Sequence, residues 1–216
     1  MSLASEIETD YYDKTESYIN FSGYVSNKMD IYKFIWTRLQ AKLFRLLCLK
    51  VGQPMNMREL AKLLKASPTA VSNSLTVFCK DELVMIKKSK TINLTMVELN
   101  RNNSKAIELK RSENLRMIYE SGLSEYLYEL FPGASIVLFG SYSRGEDIIA
   151  NEVGELCSDI DIAIIGIKDK EVNTVNFEKK LERKISLNFY GSWNEIHKNL
   201  RENILNGIIL SGSVEL

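Results

Sequence analysis

The sequence predicts an α+β fold, in which a helical first half is followed by a half that mixes helices and strands. Apolar residues recur at helical spacing from about residue 31 to residue 80. Further along, residues 136–139 and 160–165 are short apolar runs that predict buried strands. The composition, 45% apolar and 26% charged, is that of a globular protein, and no apolar run approaches the roughly 18 residues of a membrane span. We therefore expect a cytoplasmic protein without a membrane segment.

The formal net charge of zero conceals an uneven distribution of charge. Residues 31–111 carry 16 basic and 5 acidic side chains, whereas the segments before and after them are acidic. A basic middle between acidic flanks is typical of a polyanion-binding segment joined to another domain. The predicted division is an N-terminal arm at 1–30, a first domain at 31–100, a linking helix at 101–122 and a second domain at 123–216.

Three helices are predicted in the first domain. The first is expected to begin at Asp30 or Tyr32 and to run to about Lys50. Asn56, followed three residues later by a glutamate, has the pattern of a capping box and predicts the start of the second helix. Ser67, followed directly by proline, predicts the N-cap of the third helix.

Residues 83–95 are predicted to form two strands around a lysine-rich turn. Two helices joined by a tight turn, with a hairpin behind them, resemble a winged helix-turn-helix. The resemblance implies that the third helix faces the bases of double-stranded DNA and that the hairpin tip lies along phosphates. The residues it assigns to DNA are Thr69, Ser72, Asn73, Lys80, Lys87, Lys88 and Lys90. The alternative is that the domain serves only for packing or dimerisation.

The second domain contains a pair of carboxylates, Asp159 and Asp161, at the start of an apolar strand. Residues two apart on a strand point to the same face, so the two like charges repel each other. The pair is expected to require a cation, and Mg²⁺ favours one or two carboxylates together with nucleotide phosphates. Gly140 and Ser141 follow the preceding strand, where a glycine lets the backbone approach a phosphate closely and the serine hydroxyl can donate to it.

Gly140-Ser141, Arg144-Gly145 and Asp159-x-Asp161 resemble the signature of the polymerase-beta-type nucleotidyltransferase superfamily, particularly its minimal members and those joined to a helix-turn-helix. The resemblance implies transfer of a nucleoside monophosphate, AMP from ATP or a counterpart from another nucleoside triphosphate, to a hydroxyl acceptor. It also implies Mg²⁺ or Mn²⁺ as cofactor, bound by the two aspartates. The residues it assigns to the nucleotide are Gly140, Ser141, Arg144 and Ser158.

A third acid, which in this superfamily stands on a later strand beside the pair, is missing from the corresponding part of this sequence. The matching strand spans residues 184–190, and alternation places Ser186, Asn188 and Tyr190 on one face. We expect Asn188 in the position of the acid and assign it to the catalytic set with Asp159 and Asp161. An amide can coordinate a metal through its oxygen, but it is no base.

The loop at residues 146–157 offers other acids, which could replace the missing one or form a solvated acidic loop. They are Glu146, Asp147, Glu152 and Glu155.

Two functions remain open from the sequence. One is the nucleotidyltransferase described above, and the other is a transcriptional regulator that binds DNA and senses a nucleotide without chemistry. Resemblance to minimal nucleotidyltransferases further implies a toxin-like protein partner, and the linking helix predicts a homodimer. The single histidine, His197, argues against a Ser-His-Asp hydrolase and against sites with two histidine ligands. Cys48 and Cys79 lie in apolar helical patterns and predict buried thiols in a reducing compartment.

Overall fold

A computed structural model describes residues 36–88, 95–149 and 157–214, except the side chain of residue 88. The predicted arm at residues 1–30 lies outside these ranges. The structure confirms the α+β class, with a three-stranded sheet in the first half of the chain and a four-stranded sheet in the second. None of the helices in the described ranges is both long enough and apolar enough to cross a membrane.

The first half combines three helices with a small antiparallel sheet of strand order β1-β3-β2. Its elements are α1 (Arg38–Leu49), β1 (Met55–Asn56), α2 (Met57–Leu64), α3 (Pro68–Lys80), β2 (Val84–Lys88) and β3 (Thr95–Leu99). Its core contains a cluster of three aromatic rings, in which Trp36 lies 4.6 Å from Phe44 and 5.1 Å from Phe78 between ring centroids. This arrangement is a winged helix-turn-helix, as the sequence predicts.

Helix starts follow from side-chain caps. The Asn56 side chain accepts hydrogen bonds from the backbone N–H groups of Arg58 and Glu59, both at 3.0 Å, which confirms the predicted capping box. Ser67 Oγ accepts from Ala70 N at 3.2 Å, which confirms the second predicted cap. The predicted start of the first helix was wrong: α1 begins at Arg38, because Thr37 and Gln40 form a capping box there.

Two further expectations for the first half were wrong. The second wing strand, β3, continues to Leu99 instead of ending at Thr95, because Val97 and Leu99 face the core. Cys48 is buried as predicted, but Cys79 is exposed, because its neighbour Phe78 occupies the buried position of α3.

The second half places a mixed sheet of strand order β6-β5-β4-β7 between layers of helices. Strand β4 is antiparallel to β5 and to β7, whereas β5 and β6 are parallel. Its elements are α4 (Ser104–Ser121), α5 (Leu123–Leu130), β4 (Ser135–Phe139), α6 (Gly140–Arg144), β5 (Ile160–Ile165), α7 (Val175–Leu181), β6 (Ile185–Tyr190), α8 (Lys198–Leu205) and β7 (Ile208–Ser211). A short 3-10 turn, Trp193–Glu195, precedes α8.

Alternating residues of the four-stranded sheet belong to two cores. Ile136, Leu138, Ile160 and Ile162 pack on one face with residues of α4 and α5. Val137, Phe139, Ala163 and Ile165 pack on the other face with Trp193, Ile196 and Ile204. Because side chains alternate along β5, Asp161 lies on the second face, at the end of the sheet where that strand begins.

Contacts join the two halves, and the chain from Trp36 onwards forms one compact unit. Ile149 N donates to Val51 O at 3.0 Å, and Lys50 Nζ lies 2.6 Å from Glu182 Oε2. Helix α4 contributes buried polar residues as well as apolar ones, because Lys110 and Asn114 lie on its buried face. The division into separate domains at residues 100 and 122 stays a prediction.

Candidate functional site

The centre of the candidate site is a contact between Gly140 and Asp161. Register places Phe139, the last residue of β4, level with Asp161 on β5, so Gly140 starts α6 beside this carboxylate. Gly140 has a φ of +75°, and a Cβ atom there would lie 2.5 Å from Asp161 Oδ2. Both the backbone conformation and the lack of space require glycine. The structure therefore brings together the glycine turn and one of the two predicted aspartates.

The electrostatics of the aspartate pair favour a cation. Asp159 is exposed just before β5, and Asp161 is half-buried within it. Burial raises the pKa of the Asp161 carboxyl above its ordinary value, and the negative charge of Asp159 raises it further. A bound cation would stabilise the ionised form of both side chains.

The neighbouring strand places Ser186 level with Asp161. Because β5 and β6 are parallel, Asp161 pairs with Ser186, whereas Asn188 pairs with Ala163. The expectation that Asn188 stands beside the pair was wrong, because alternation fits both residues and only the register distinguishes them. The Asn188 amide instead donates to the Ser186 carbonyl at 3.3 Å.

Two predicted nucleotide ligands have protein partners that fix the loop after α6. Arg144 Nε donates to Glu146 Oε2 at 2.7 Å, and Arg144 Nη1 donates to Asn203 Oδ1 of α8 at 3.2 Å. Ser158 Oγ accepts from Ile148 N at 3.1 Å, and Ser158 N donates to Ile148 O at 2.9 Å. These bonds give Arg144 and Ser158 a role in holding the loop. Ser141, the remaining predicted ligand, is half-buried on α6.

The acids of the 146–157 loop that the structure describes do not replace the missing carboxylate. Glu146 is exposed and paired with Arg144. Asp147 is 1% exposed and accepts hydrogen bonds from Lys110, Asn114 and Arg183, so its oxygens are committed to those donors. Glu152 and Glu155 lie outside the described residues.

The residues present fit a metal ion that arrives with a nucleotide. In the described ranges, no group of three or more Asp, Glu, His or Cys side chains could hold a metal ion by itself. Asp159 and Asp161 supply two carboxylates, and Mg²⁺ commonly completes its shell with nucleotide phosphates and water. The donor set is therefore adequate for a metal–nucleotide complex.

The outer face of α3 carries the residues predicted to contact DNA. Thr69, Ser72, Asn73 and Lys80 are all exposed there. On the wing, Lys87 is exposed but its Nζ lies 2.6 Å from Glu98 Oε1, so this charge is partly neutralised. The side chain of Lys88 and the whole of Lys90 lie outside the described residues.

Sequence reasoning missed the buried polar cluster around Asp147. It also counted Lys50 and Lys110 towards a basic DNA-binding surface, whereas both pair with acids of the second half. A usable signal was present, because Lys110 and Asn114 continue the four-residue spacing of Ala106 along α4. A buried helix face predicted from apolar residues alone does not include Lys110 and Asn114.

One family model matches the second half of the chain. Residues 120–211 match the family model of a nucleotidyltransferase domain. No protein in the curated set compared with the chain matches it.

Solved structures of winged-helix regulators are similar to the chain at low identity. A mutant of Lactococcus lactis ZitR is 20% identical, with 61% of this chain and 86% of that chain covered and a TM-score of 0.36. Another ZitR mutant, in complex with DNA, is 22% identical, with 61% and 84% covered and a TM-score of 0.34. The adhesin competence repressor AdcR from Streptococcus pyogenes is 17% identical, with 61% and 84% covered and a TM-score of 0.36. The chain therefore carries a nucleotidyltransferase domain at residues 120–211, preceded by a winged helix-turn-helix.

Proposed function

We propose that this protein is a DNA-binding regulator whose nucleotidyltransferase domain binds a nucleoside triphosphate with Mg²⁺ or Mn²⁺ without appreciable transfer of its nucleoside monophosphate. One observation carries the proposal: Asp161 lies against Gly140 on one side and level with Ser186 on the other. Among the described residues, the site therefore offers donors that suit a metal–nucleotide complex, and a serine, Ser186, stands level with Asp161 in place of a third carboxylate.

Support for nucleotide binding comes from the pair and the glycine turn. Asp159 and Asp161 would hold the metal ion, which would neutralise the triphosphate and draw it towards the carboxylates. The absence of a side chain at Gly140 lets the Asp161 carboxylate lie against the backbone at the start of α6, where a phosphate would bind. The Ser141 hydroxyl, on the next residue, would donate to a phosphate oxygen. ATP is the first nucleotide to test, because the resemblance implies AMP transfer.

Support for weak chemistry comes from Ser186. Transfer of a nucleoside monophosphate requires an acceptor hydroxyl to attack the α-phosphorus, to lose its proton and to expel pyrophosphate. A carboxylate at the level of Asp161 would accept that proton, whereas a serine hydroxyl with an ordinary pKa far above neutrality would not. General-base catalysis contributes roughly 10²–10⁴-fold, which is the expected deficit.

Support for DNA binding comes from the exposed polar face of α3 and from its position as the second helix of a helix-turn-helix. Ser72 and Asn73 would lie nearest the base edges, and Lys80 would contact phosphate. The homodimer, the toxin-like partner and the cytoplasmic location stay predictions from the sequence.

Slow nucleotidyl transfer to a hydroxyl acceptor is the second candidate function, favoured by the retained contact between Gly140 and Asp161. One pair of measurements separates the candidates. Calorimetric titration with a nonhydrolysable α,β-methylene ATP should show binding that depends on Mg²⁺ and is lost in Asp159→Asn and Asp161→Asn. Asp169→Asn, an exposed acid beyond the opposite end of β5, is the matched control and should bind normally.

The second measurement follows pyrophosphate release and label transfer from α-labelled ATP. The regulator predicts binding without release, whereas the transferase predicts release that disappears in both aspartate variants. Absence of Mg²⁺-dependent binding in the unaltered protein would refute both candidates.

A further inference from the structure

A buried polar cluster surrounds Asp147 at the junction of the two halves. Asp147 Oδ1 accepts from Lys110 Nζ and, at 2.7 Å, from Asn114 Nδ2, while Asp147 Oδ2 accepts from Arg183 Nη2 at 3.1 Å. Lys110, Asp147 and Arg183 are each exposed by 4% or less. Separating such buried ions from each other is strongly unfavourable. The cluster therefore fixes the relative positions of the elements that carry its members.

Two elements that border the proposed nucleotide site, α6 and β6, are joined to the cluster by a few residues of chain. Asp147 comes soon after α6, the helix that begins at Gly140, and the Tyr142 carbonyl of α6 accepts from Asn114 Nδ2 at 2.9 Å. Gly145, which ends α6, has no room for a Cβ, because one would lie 2.6 Å from the Ile107 carbonyl of α4. Arg183 comes just before β6, the strand of Ser186. The glycine turn and the Ser186 strand thus both lead into the cluster.

The same cluster reaches the winged helix. Arg183 Nη1 donates to the Leu49 carbonyl, at the end of α1, at 3.1 Å. Lys110 and Asn114 belong to α4, and the N-terminal end of α4 contacts the C-terminal end of α3. There Asn103 Nδ2 donates to the Asp81 and Glu82 carbonyls at 3.3 and 3.2 Å, and Lys105 Nζ lies 2.9 Å from Asp81 Oδ2. Asp81 is the C-cap residue of α3, the helix proposed to face DNA.

The hydrogen bonding of the cluster is incomplete. Arg183 Nε, Asn114 Oδ1 and Tyr142 Oη are buried, and within the described part of the chain they have no hydrogen-bond partner. Two buried cations also share one carboxylate. A buried polar group without a partner is unfavourable, so a rearrangement that gave these atoms partners would be favourable.

We propose that the Asp147 cluster couples the nucleotide site to the DNA-binding helix, so that occupancy of one site changes the affinity of the other. The coupling rests on the proposed function, because it requires both ligands to bind. A phosphate seated beside Gly140 would act on α6, and a metal ion held by Asp159 and Asp161 would act on β5 and the adjacent β6. The cluster would transmit their displacement to α4 and α1. Asp147 and Arg183 are positioning residues in this scheme and touch neither ligand.

Linkage gives a strict test. A DNA duplex selected from a randomised pool is titrated by fluorescence anisotropy with and without saturating Mg²⁺ and α,β-methylene ATP. The nucleotide is then titrated with and without the duplex. Coupling predicts that each ligand changes the affinity of the other by the same factor, about 5- to 150-fold. Binding of both ligands with unchanged affinities would overturn the coupling alone, whereas failure of either ligand to bind would overturn the proposed function and the coupling with it.

The variant that removes the coupling must keep the fold. Asp147→Asn alone would leave two buried cations without an anion, so the informative variant is the triple change Lys110→Met, Asp147→Leu and Arg183→Met. Replacing a buried ion cluster by apolar residues of similar volume is commonly neutral or stabilising. The triple variant should bind each ligand while the coupling factor falls to about 1.

Arg116→Met is the matched control for that variant. Arg116 lies on the same helix, is exposed, and pairs with Glu120 within α4. It should retain the full coupling factor. A triple variant that folds and keeps the factor of the unaltered protein would show that the coupling does not pass through the Asp147 cluster.

Discussion

Ser186 stands level with Asp161 on the neighbouring parallel strand, at the position where the sequence led us to expect Asn188. The two candidate positions differ by one pleat of β6, about 6–7 Å along the strand. At the level of Asp161, one of the two aspartates proposed to bind a metal ion, strand β6 therefore presents a hydroxyl.

Ser186→Asp should increase nucleotidyl transfer, because it adds a carboxylate that can accept the proton of the acceptor hydroxyl. General-base contributions are about 10²–10⁴-fold, and we expect at least about a tenfold increase in pyrophosphate release with ATP and Mg²⁺. Asn188→Asp is the control, because that residue lies level with Ala163 and should give no comparable gain. Equal gains from both variants would contradict the register argument.

Gly140→Ala should abolish nucleotide binding and destabilise the fold. The added Cβ would meet Asp161 Oδ2 at 2.5 Å, and alanine is strained at a φ of +75°. Backbone strain of this kind costs roughly 1–3 kcal/mol. Gly133→Ala is a matched control, because Gly133 has a φ of +83° but no atom lies within 4 Å of the place that its added Cβ would occupy. Calorimetric melting with titration of nucleotide should show strain in both variants and loss of binding in Gly140→Ala alone.

The affinity for Mg²⁺ and nucleotide should rise with pH through the titration of Asp161. Burial and the charge of Asp159 raise the pKa of this carboxyl, so a proton competes with the metal ion at higher pH than for an ordinary aspartate. Asp159→Asn removes one of the two causes and, without metal, should lower the pKa of the Asp161 carboxyl. An NMR titration of the Asp161 carboxyl carbon measures this shift, and a pKa that is unchanged or higher in the variant would contradict it.

The raised pKa of Asp161 also makes the free energy of unfolding depend on pH. A carboxyl whose pKa is higher in the folded than in the unfolded protein binds its proton more tightly when folded. Its contribution therefore favours folding below the unfolded pKa and is lost as the pH rises through the folded pKa. Without metal, Asp161→Asn should remove that part of the pH dependence of the free energy of unfolding.

Local signals in the sequence predicted much of the fold, and pairing between distant segments explains where prediction failed. Asn56 and Ser67 cap their helices as expected, because a cap depends on neighbours within four residues. The exposure of Asn73 followed from the apolar stripe of α3 in the same way. In contrast, the register of β6 against β5 depends on the whole sheet, so alternation alone could not distinguish Ser186 from Asn188.

The burial of Lys110 could not be predicted from the sequence, because charged residues were assigned to the surface. Lysine is almost never fully buried unless paired, and its partner, Asp147, lies 37 positions away along the chain. Only the packing of α6 against α4 brings the two together. Cys79 is exposed, whereas the adjacent Phe78 is buried. The apolar pattern of α3 did not show which of these two neighbours faces the core.

Asp147→Asn should destabilise the protein by about 3–5 kcal/mol, because it leaves the buried cations Lys110 and Arg183 without an anionic partner. Burial already lowers the pKa of Lys110 while Asp147 opposes that effect, so loss of the carboxylate should lower this pKa further and favour a neutral amine. Asp81→Asn provides the control, since its pair with Lys105 is largely exposed and such pairs contribute about 0–1 kcal/mol. Urea unfolding of both variants gives the comparison. Equal losses would mean that the Asp147 cluster stabilises the junction no more than a surface ion pair does, and would remove the basis for treating it as the connection between the two sites.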